Sequence, residues 1–448
     1  MLKNNVFSFL FVCSNQAIFR LCRQIFKYKT NYCIPEVISV FAILFCLSGC
    51  KEADVKQLPK KQVVIFSNVF SKHSEKENFV NNIVEPLSKK MGIKINYHSV
   101  EGVPGIKDME ARSNQYRISA DIDLGPFGTM LNLIKNDYLV NLSEKTKFWK
   151  TMTVLPAFHY GANAQERKYF MPIIGNIYIV IANKKALPYL PKGADINNLT
   201  WDQFADWAIN MKSVNGYGRT VLSGVSLNSF IYQFGACALS YGAKFPEIDS
   251  EGAKKAWKIF EKIANANAFV PNIRIVSDCS TVMLTHQAWL SILNNAKACE
   301  VYAGDPDSYV LASMPTGSAG RGSIVGFSGM GVMKNSKNMK LALKILEYFS
   351  KPKVQIEVAR ETGGFFPASK DALKYLDAKR PEDVVIRKAI QELNSNIIMT
   401  SVPSQNYVKW EAVKQLFDNI FQNIILPRKK LTDIRLAEAE KELELLKK

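Results

Sequence analysis

The chain has 448 residues, 47% hydrophobic and 22% charged, with 58 Lys and Arg against 40 Asp and Glu, a formal net charge of +18. That length excludes a single ordinary core and allows about three domains of globular composition. A nucleic-acid binder would cluster its cations with interleaved aromatics, whereas Lys254, Lys255, Lys258 and Lys262 lie along what reads as one helix face, so the excess charge points to a solvated surface or an anionic neighbour and not to nucleic acid.

Lys27 and Lys29 precede an almost wholly apolar run over 37–47, closed by Leu47-Ser48-Gly49-Cys50. A basic flank, an apolar segment of roughly ten residues and small residues at its end describe an export signal too short to span a membrane. The tetrapeptide resembles a bacterial lipobox, with cleavage before Cys50 and lipid on its sulfur. Residues 1–49 are then the leader and lipoprotein signal peptide, and 50–61 a lipidated tether. A second apolar patch over 6–12 marks an unusually long leader or a start codon set too early. Three cysteines lie beyond the lipidated Cys50, namely Cys237, Cys279 and Cys299. An odd number allows at most one bridge, a Cys279–Cys299 pairing stays open, and the spacings fit no zinc pattern.

Residues 63–66 read as a buried strand. Phe79, Ile83, Leu87 and Met91 mark a helix, kinked at Pro86, and Ile93, Ile95 and Tyr97 alternate as a second strand. Strand, helix and strand with short links form a βαβ unit with parallel strands. A third strand over 120–124 breaks at Gly125-Pro126-Phe127-Gly128-Thr129 before a helix over 130–135; such loops at strand ends are where open α/β folds hold ligands. Another apolar strand covers 173–182. Thr200-Trp201-Asp202-Gln203 has capping-box spacing, so a helix begins there with Trp201 and Trp207 inward. Helices follow over 227–239 and 250–269, with Trp257 in the core stripe. Residues 279–298 read as helix then strand, and 309–312 as a strand.

Residues 322–367 form a strand, two helices and a glycine stop. Apolar positions over 324–333 are interrupted by Gly326, Gly329 and Gly331, which mark bulges or close approach. Leu341, Ile345, Leu346 and Phe349 repeat at helical spacing, and Pro352 opens a second helix that ends at Gly363 and Gly364. A helix over 407–421 and a last one capped by Thr432 complete the chain.

Catalysis finds no positive support. His73, His98, His159 and His286 are dispersed, no metal set or cofactor motif is present, and Ser350-Lys351-Pro352-Lys353 lacks the companions of a nucleophilic serine motif. Strand-end loops instead gather polar and aromatic groups suited to a small-molecule cleft: Ser67, Asn68 and Phe70; Phe127 and Thr129; Asn176; Ser328; Phe365 and Phe366; Tyr407 and Trp410. Trp410 reads equally as part of a core stripe with Val413 or as a stacking platform.

The order of these blocks resembles the extracellular solute-binding proteins of family 1, the maltose-binding type that serves ABC importers. Its carriers are the opening βαβ unit, ADIDLGPFGTMLNLIKNDYLVNLSE (120–144), YFMPIIGNIYIVIANKKAL (169–187), TWDQFADWA (200–208), MPTGSAGRGSIVGFSGMGVMKNSKN (314–338) and ETGGFFPASKDAL (361–373). The resemblance implies an α/β, two-lobe periplasmic-binding-protein-like fold of type II. Each lobe is expected to be a mainly parallel sheet flanked by helices, with a multi-crossing hinge between them. Residues 62–172 and 326–362 would form lobe 1, and 173–325 and 363–448 lobe 2, with Gly175, Gly326, Gly363 and Gly364 at the hinge. It also implies a small-molecule solute of sugar or carbohydrate-like character, permease transmembrane subunits as partners, a monomer, and a membrane-anchored lipoprotein of the bacterial envelope facing the periplasm or exterior. Trp410-Glu411-Ala412-Val413 resembles the segment in which maltose-binding proteins stack a sugar. Gly125-Pro126-Phe127 and the 293–296 region lack the tryptophans of their other platforms, which counts against maltodextrin. Arg321 is the one cationic cleft candidate should the solute be an anion. The competing readings are a ferric-type metal carrier on the same fold, which would want a tyrosine pair and acidic groups, and an envelope lipoprotein without transport.

Overall fold

The computed structural model describes residues 61–70, 73–99, 119–147, 151–159, 165, 168–222, 229–395, 397–404, 406–407 and 409–447. The leader, Cys50 and the tether up to residue 60 lie outside them. Among the described residues no helix is long and apolar enough to cross a membrane.

Strand β1 (Gln62–Ser67) pairs in parallel with β2 (Lys94–Ser99) and with β3 (Ile122–Pro126). The βαβ crossover is α1, which runs from His73–Phe79 through a π-helical turn, Val80–Val84, into Glu85–Met91. This π turn lies immediately before Pro86, where the kink is expected. Pro86 has no N–H for the preceding turn, and the ladder widens so that Glu85 N–H reaches the Val80 carbonyl. Helix α2 (Phe127–Lys135) follows β3 directly.

Two strands of 13 residues each, β4 (Met171–Asn183) and β9 (Gly320–Val332), run antiparallel through the middle of the sheet. Their near-continuous apolar sequence is what burial on both faces demands. Between them come α3 (Trp201–Asn215), β5 (Thr220–Leu222), α4 (Phe230–Ser240), α5 (Glu251–Asn265), α6 (Cys279–Leu284), β6 (Leu290–Asn294), α7 (Asn295–Gly304), β7 (Tyr309–Ala312) and β8 (Thr316–Gly317). After β9 come α8 (Met339–Phe349), α9 (Pro352–Glu361), β10 (Phe366–Pro367), α10 (Pro381–Ser395), β11 (Ile397–Thr400), α11 (Trp410–Ile420) and α12 (Asp433–Leu446). The central strand order is β2-β1-β3-β9-β4-β6-β5.

Apolar cores gather at the two ends of the long strands. One takes β1–β3, α1, α8 and α9 and includes Ile174 and Met330; the other takes α3–α7 with α11 and α12 and includes Tyr178 and Ile324. The core that a residue joins therefore changes between 174 and 178 on β4 and between 324 and 330 on β9, which makes two lobes joined by crossing strands. A third cluster, with Phe127, Phe158, Phe327, Phe366 and Ile386, fills the junction. In the second lobe α11 and the turn after it dock through rings, Phe421 stacked on Phe230 at 4.0 Å and Phe417 5.2 Å from Phe234. Each such buried ring contributes about 1.5–3 kcal/mol.

The capping box forms as its spacing predicts, Gln203 N–H donating to Thr200 Oγ1 and Thr200 N–H to Gln203 Oε1. Trp201, Trp207 and Trp257 are buried, each indole N–H satisfied, by Ser240 Oγ, the Ala186 carbonyl and the Ile248 carbonyl. Two features differ from expectation, and one question left open by the sequence is answered. The mainly parallel pairing holds for β2–β1–β3, but β6 and β7 both lie antiparallel to β4, because β4 enters the second lobe as a through-going strand. Residues 295–304 continue as a helix, started by Asn294 accepting the Lys297 N–H. Cys237, Cys279 and Cys299 are all free buried thiols.

Candidate functional site

The sheet interior is dry except at one pair. Along β4 every residue is buried but Asn176, and along β9 past its first two residues every one is buried but Gly326. These two are register partners. A Cβ on Gly326 would stand 2.3 Å from Asn176 Oδ1, so the missing side chain is what lets the amide lie there. They form the floor of a cavity of about 250 Å³.

On the first-lobe side the walls are Asn68, Val69 and Pro126, with Phe365 beside them. Ser67, itself buried, accepts the Val69 N–H at 3.1 Å and so shapes the turn that brings Asn68 to the cavity. Asn68 Nδ2 reaches Thr129 Oγ1 at 3.4 Å, while its Oδ1 is buried with no hydrogen-bond partner among the described residues. On the second-lobe side stand Tyr178, Tyr232, Ile324 and Ser401. The two tyrosine rings lie 6.1 Å apart, tilted by 32°. Ser401 is fixed by its N–H on the Val325 carbonyl at 2.8 Å. Ser328 sits where three strands meet, paired with Pro126 of β3 and Ile174 of β4.

Of the residues proposed from sequence, Asn68, Asn176, Ser328 and Phe365, with Gly175 and Gly326, line this cavity. Ser67 and Thr129 stand one contact behind it. Phe70, Phe127 and Phe366 do not reach it. Phe70 packs on Phe79 at 4.7 Å, Phe127 stacks on Phe327 at 4.4 Å, and Phe366 lies against Gly175, where an added Cβ would be 2.5 Å from the ring. All three are buried core, because in each case a second aromatic or a glycine supplies a better partner than water.

Trp410 also stays out of the lining. Its indole N–H donates to Tyr232 Oη at 3.1 Å and its ring meets Tyr407 edge-on at 5.5 Å, so both form a second row behind Tyr232. Burial pushes the Tyr232 phenol up, opposed by the Lys414 ammonium, and the group stays neutral. Arg321 donates to the Asn197 carbonyl at 3.0 Å and is not in the lining. Gly363 and Gly364 follow α9 with φ of 93° and 90°, a conformation that favours glycine, and lead to β10, which pairs with β4 at Gly175 and Ile174.

Sequence reading misses Tyr178, Tyr232 and Ser401. Tyr178 has a usable signal, since it stands two residues from Asn176 and shares its face of the strand. Tyr232 has none, because it interrupts an otherwise buried helix. Among the described residues the cavity lining carries no charged side chain, and no cluster of three His, Cys, Asp or Glu could hold a metal. Amides and hydroxyls beside apolar and aromatic walls suit a neutral, polar small molecule.

The model of a family described as bacterial extracellular solute-binding protein matches residues 82–385. No curated protein sequence matches the chain significantly. Among solved structures, an ABC transporter solute-binding protein from Thermotoga lettingae TMO bound with α-D-tagatose is similar at 17% identity and TM-score 0.69, over 87% of this chain and 100% of that one. The GacH receptor of Streptomyces glaucescens, solved unliganded and with acarbose, is similar at 16% identity and TM-score 0.68, over 86% and 98%. Maltose-bound MalE3 of T. maritima gives 16% and 0.69, over 86% and 99%. At these identities the likeness shows the fold.

Proposed function

The chain belongs to the bacterial extracellular solute-binding proteins, and from that premise we propose that it captures a small neutral carbohydrate in the cavity between its lobes and delivers it to the membrane subunits of an ABC importer. The observation that carries this is the uncharged lining: Asn176, Ser328 and Ser401 beside Tyr178 and Tyr232, with Asn68 Oδ1 an unpartnered buried acceptor that a sugar hydroxyl would satisfy. Three structural neighbours were solved with tagatose, acarbose and maltose. A volume of about 250 Å³ lies below the roughly 300–1,000 Å³ of drug-sized sites, which favours one or two sugar rings over a long dextrin.

On this reading residues 62–172 with 326–362 form one lobe and 173–325 with 363–448 the other. Gly175, Gly326, Gly363 and Gly364 lie where the chain crosses between them, and closure about these crossings traps the solute and presents a closed surface to the permease. Lipid on Cys50 holds a monomeric lipoprotein at the membrane, facing the periplasm or exterior. No covalent step enters the function.

The ferric-type reading would use the tyrosine pair, and Tyr178 with Tyr232 provides one. Two features oppose it. Burial drives Tyr232 away from the phenolate that iron needs, and no carboxylate lines the cavity among the described residues.

A thermal-shift screen of the purified protein over sugars, polyols, sugar phosphates, peptides and metal ions tests the reading, since a ligand of the native state alone must raise its stability. A neutral sugar is expected to raise the melting temperature and to compact the protein in solution scattering. A shift produced only by metal ions or anions would overturn the carbohydrate assignment. A stabilising sugar without compaction would leave binding and remove hinge closure.

A further inference from the structure

A second cavity, of about 440 Å³, is bounded by Lys212, Tyr217, Asn267, Arg274 and Leu426. It opens beside Gly218, before the start of β5, where Thr220 pairs with Leu290 at the first residue of β6. The solute cavity is beside Tyr178, which pairs with Asn294 at the last residue of β6. The two therefore sit at opposite ends of the second-lobe strands.

The three segments around this cavity, 212–219, 267–275 and 426–431, contain Lys212, Arg219, Arg274, Arg428, Lys429 and Lys430 and no Asp or Glu. Arg428, Lys429 and Lys430 are exposed. Among the described residues none of the six forms an ion pair. Arg219 lies between the rings of Tyr217 and Trp289, 4.1 and 4.4 Å from their centroids, and donates to the His286 carbonyl at 2.8 Å. Arg274 donates to the Gln422 carbonyl, which anchors the second segment to the turn that leads into the third. These partners are neutral and do not compensate the charge of Arg219 or Arg274. The nearby carboxylates are engaged: Glu261 accepts the Leu431 N–H at the end of the third segment, Asp206 pairs with Lys262 at 2.7 Å, and Asp433 with Lys254 at 3.5 Å, so one carboxylate meets six cations at this surface.

Apolar side chains stand out of the same surface. Val214 is 70% exposed, Tyr217 48% and Ile275 76%. Cations interleaved with outward aliphatic and tyrosyl groups match a bilayer interface, where phosphates take the charge and the acyl boundary takes the apolar groups. A nucleic-acid backbone would match the charge and leave Val214 and Ile275 in water.

We propose that this end of the second lobe docks on the anionic surface of a phospholipid bilayer, through Lys212, Arg274 and Arg428 to Lys430 with Val214, Tyr217 and Ile275 entering the interface. The solute cavity, at the other end of the strands, stays clear of the lipid.

Hydrogen exchange read by mass spectrometry on the full chain, mixed with vesicles of phosphatidylcholine alone or with phosphatidylglycerol, locates the contact whatever the N-terminus does. Peptides covering 212–219, 267–275 and 426–431 are expected to gain protection on phosphatidylglycerol vesicles only, and to lose it in high salt. Reversing charge with Arg428→Glu, Lys429→Glu and Lys430→Glu should weaken partitioning by at least on the order of a hundredfold, from about fivefold per cation. Val214→Ser with Ile275→Ser should weaken it while leaving its salt dependence. Equal protection on neutral vesicles, or protection unchanged by charge reversal, would overturn the proposal. Protection by an oligonucleotide and not by vesicles would overturn it in favour of nucleic acid.

Discussion

Asn295 ties β4 to the segment that follows α9: its side-chain N–H donates to the Gly364 carbonyl, and its side-chain oxygen accepts the Ile177 N–H of β4 at 2.8 Å. Asn295 is fully buried, as are Ile177 and Gly364, so no water replaces a lost partner. Asn295→Ala leaves a donor and an acceptor unsatisfied at about 1–3 kcal/mol each, and a loss of roughly 2–4 kcal/mol in denaturant unfolding is expected. Asn295→Asp should also destabilise, because a carboxylate accepts from Ile177 but opposes the Gly364 carbonyl. A loss under about 0.5 kcal/mol for Asn295→Ala would show that the two segments are held elsewhere.

On the proposed function Trp410 acts on the solute through Tyr232, to which its indole N–H donates. Trp410→Phe keeps most of the packing against Tyr407 and Phe245 and removes one hydrogen bond, worth about 0.5–1.5 kcal/mol. Solute affinity should fall by up to about tenfold with little change in melting temperature. Tyr232→Phe should have a similar effect, and the double variant should lose little more, since both remove the same bond. Additive losses in the cycle would mean that Trp410 touches the solute itself.

The fold is legible where the signal is local. Asn176 stands out as the one polar residue in a run of β-branched and aliphatic neighbours, and Thr200 with Gln203 announces a helix start that forms as written. Aromatics at strand ends are not legible in the same way. Phe70, Phe127 and Phe366 carry the sequence context expected of a cleft residue, and only tertiary neighbours far along the chain, such as Phe327 for Phe127, decide that they pack inward. Tyr232 shows the reverse. Its helix reads as core, and the cavity begins where β4 brings Tyr178 beside it.

Asp418 is fully buried in α11, and burial lifts its carboxyl to about 7, against the pull of the Phe230 N–H and the Lys414 ammonium. Its folded pKa lies above the unfolded value, so the native state binds the extra proton between roughly pH 4 and 7 and loses stability as pH rises through that window. Asp418→Asn should remove this slope and stabilise the protein at pH 8 relative to wild type, by on the order of a few kcal/mol. Parallel stability–pH curves for the two proteins would rule out the buried carboxyl as the cause.

Cys50→Ser tests the lipid anchor. Because the basic patch would also hold the protein to anionic lipid, fractionation belongs at about 1 M salt, where screening shortens to roughly 3 Å. The variant is expected in the soluble fraction and wild type in the membrane fraction. Both remaining with the membrane would defeat the anchor.

Gly175 and Gly326 line the same floor but should fail differently when given a methyl group. At Gly175 the Cβ would lie 2.5 Å from two ring atoms of Phe366 and 3.1 Å from Phe158. Both rings are buried and cannot swing away, so Gly175→Ala should cost about 1–3 kcal/mol as overpacking. At Gly326 the close atom is the end of a flexible amide, 2.3 Å away. Asn176 can rotate into the cavity, so the stability loss in Gly326→Ala should be small. The displaced amide then occupies solute space and no longer presents its donor and acceptor, and affinity should fall by a factor of about ten or more, the loss of about one good hydrogen bond. Asn176→Ala in the Gly326→Ala background should then cost little further affinity. If Gly326→Ala unfolds the protein as readily as Gly175→Ala, the amide is part of the scaffold and the solute must be read by the residues around it.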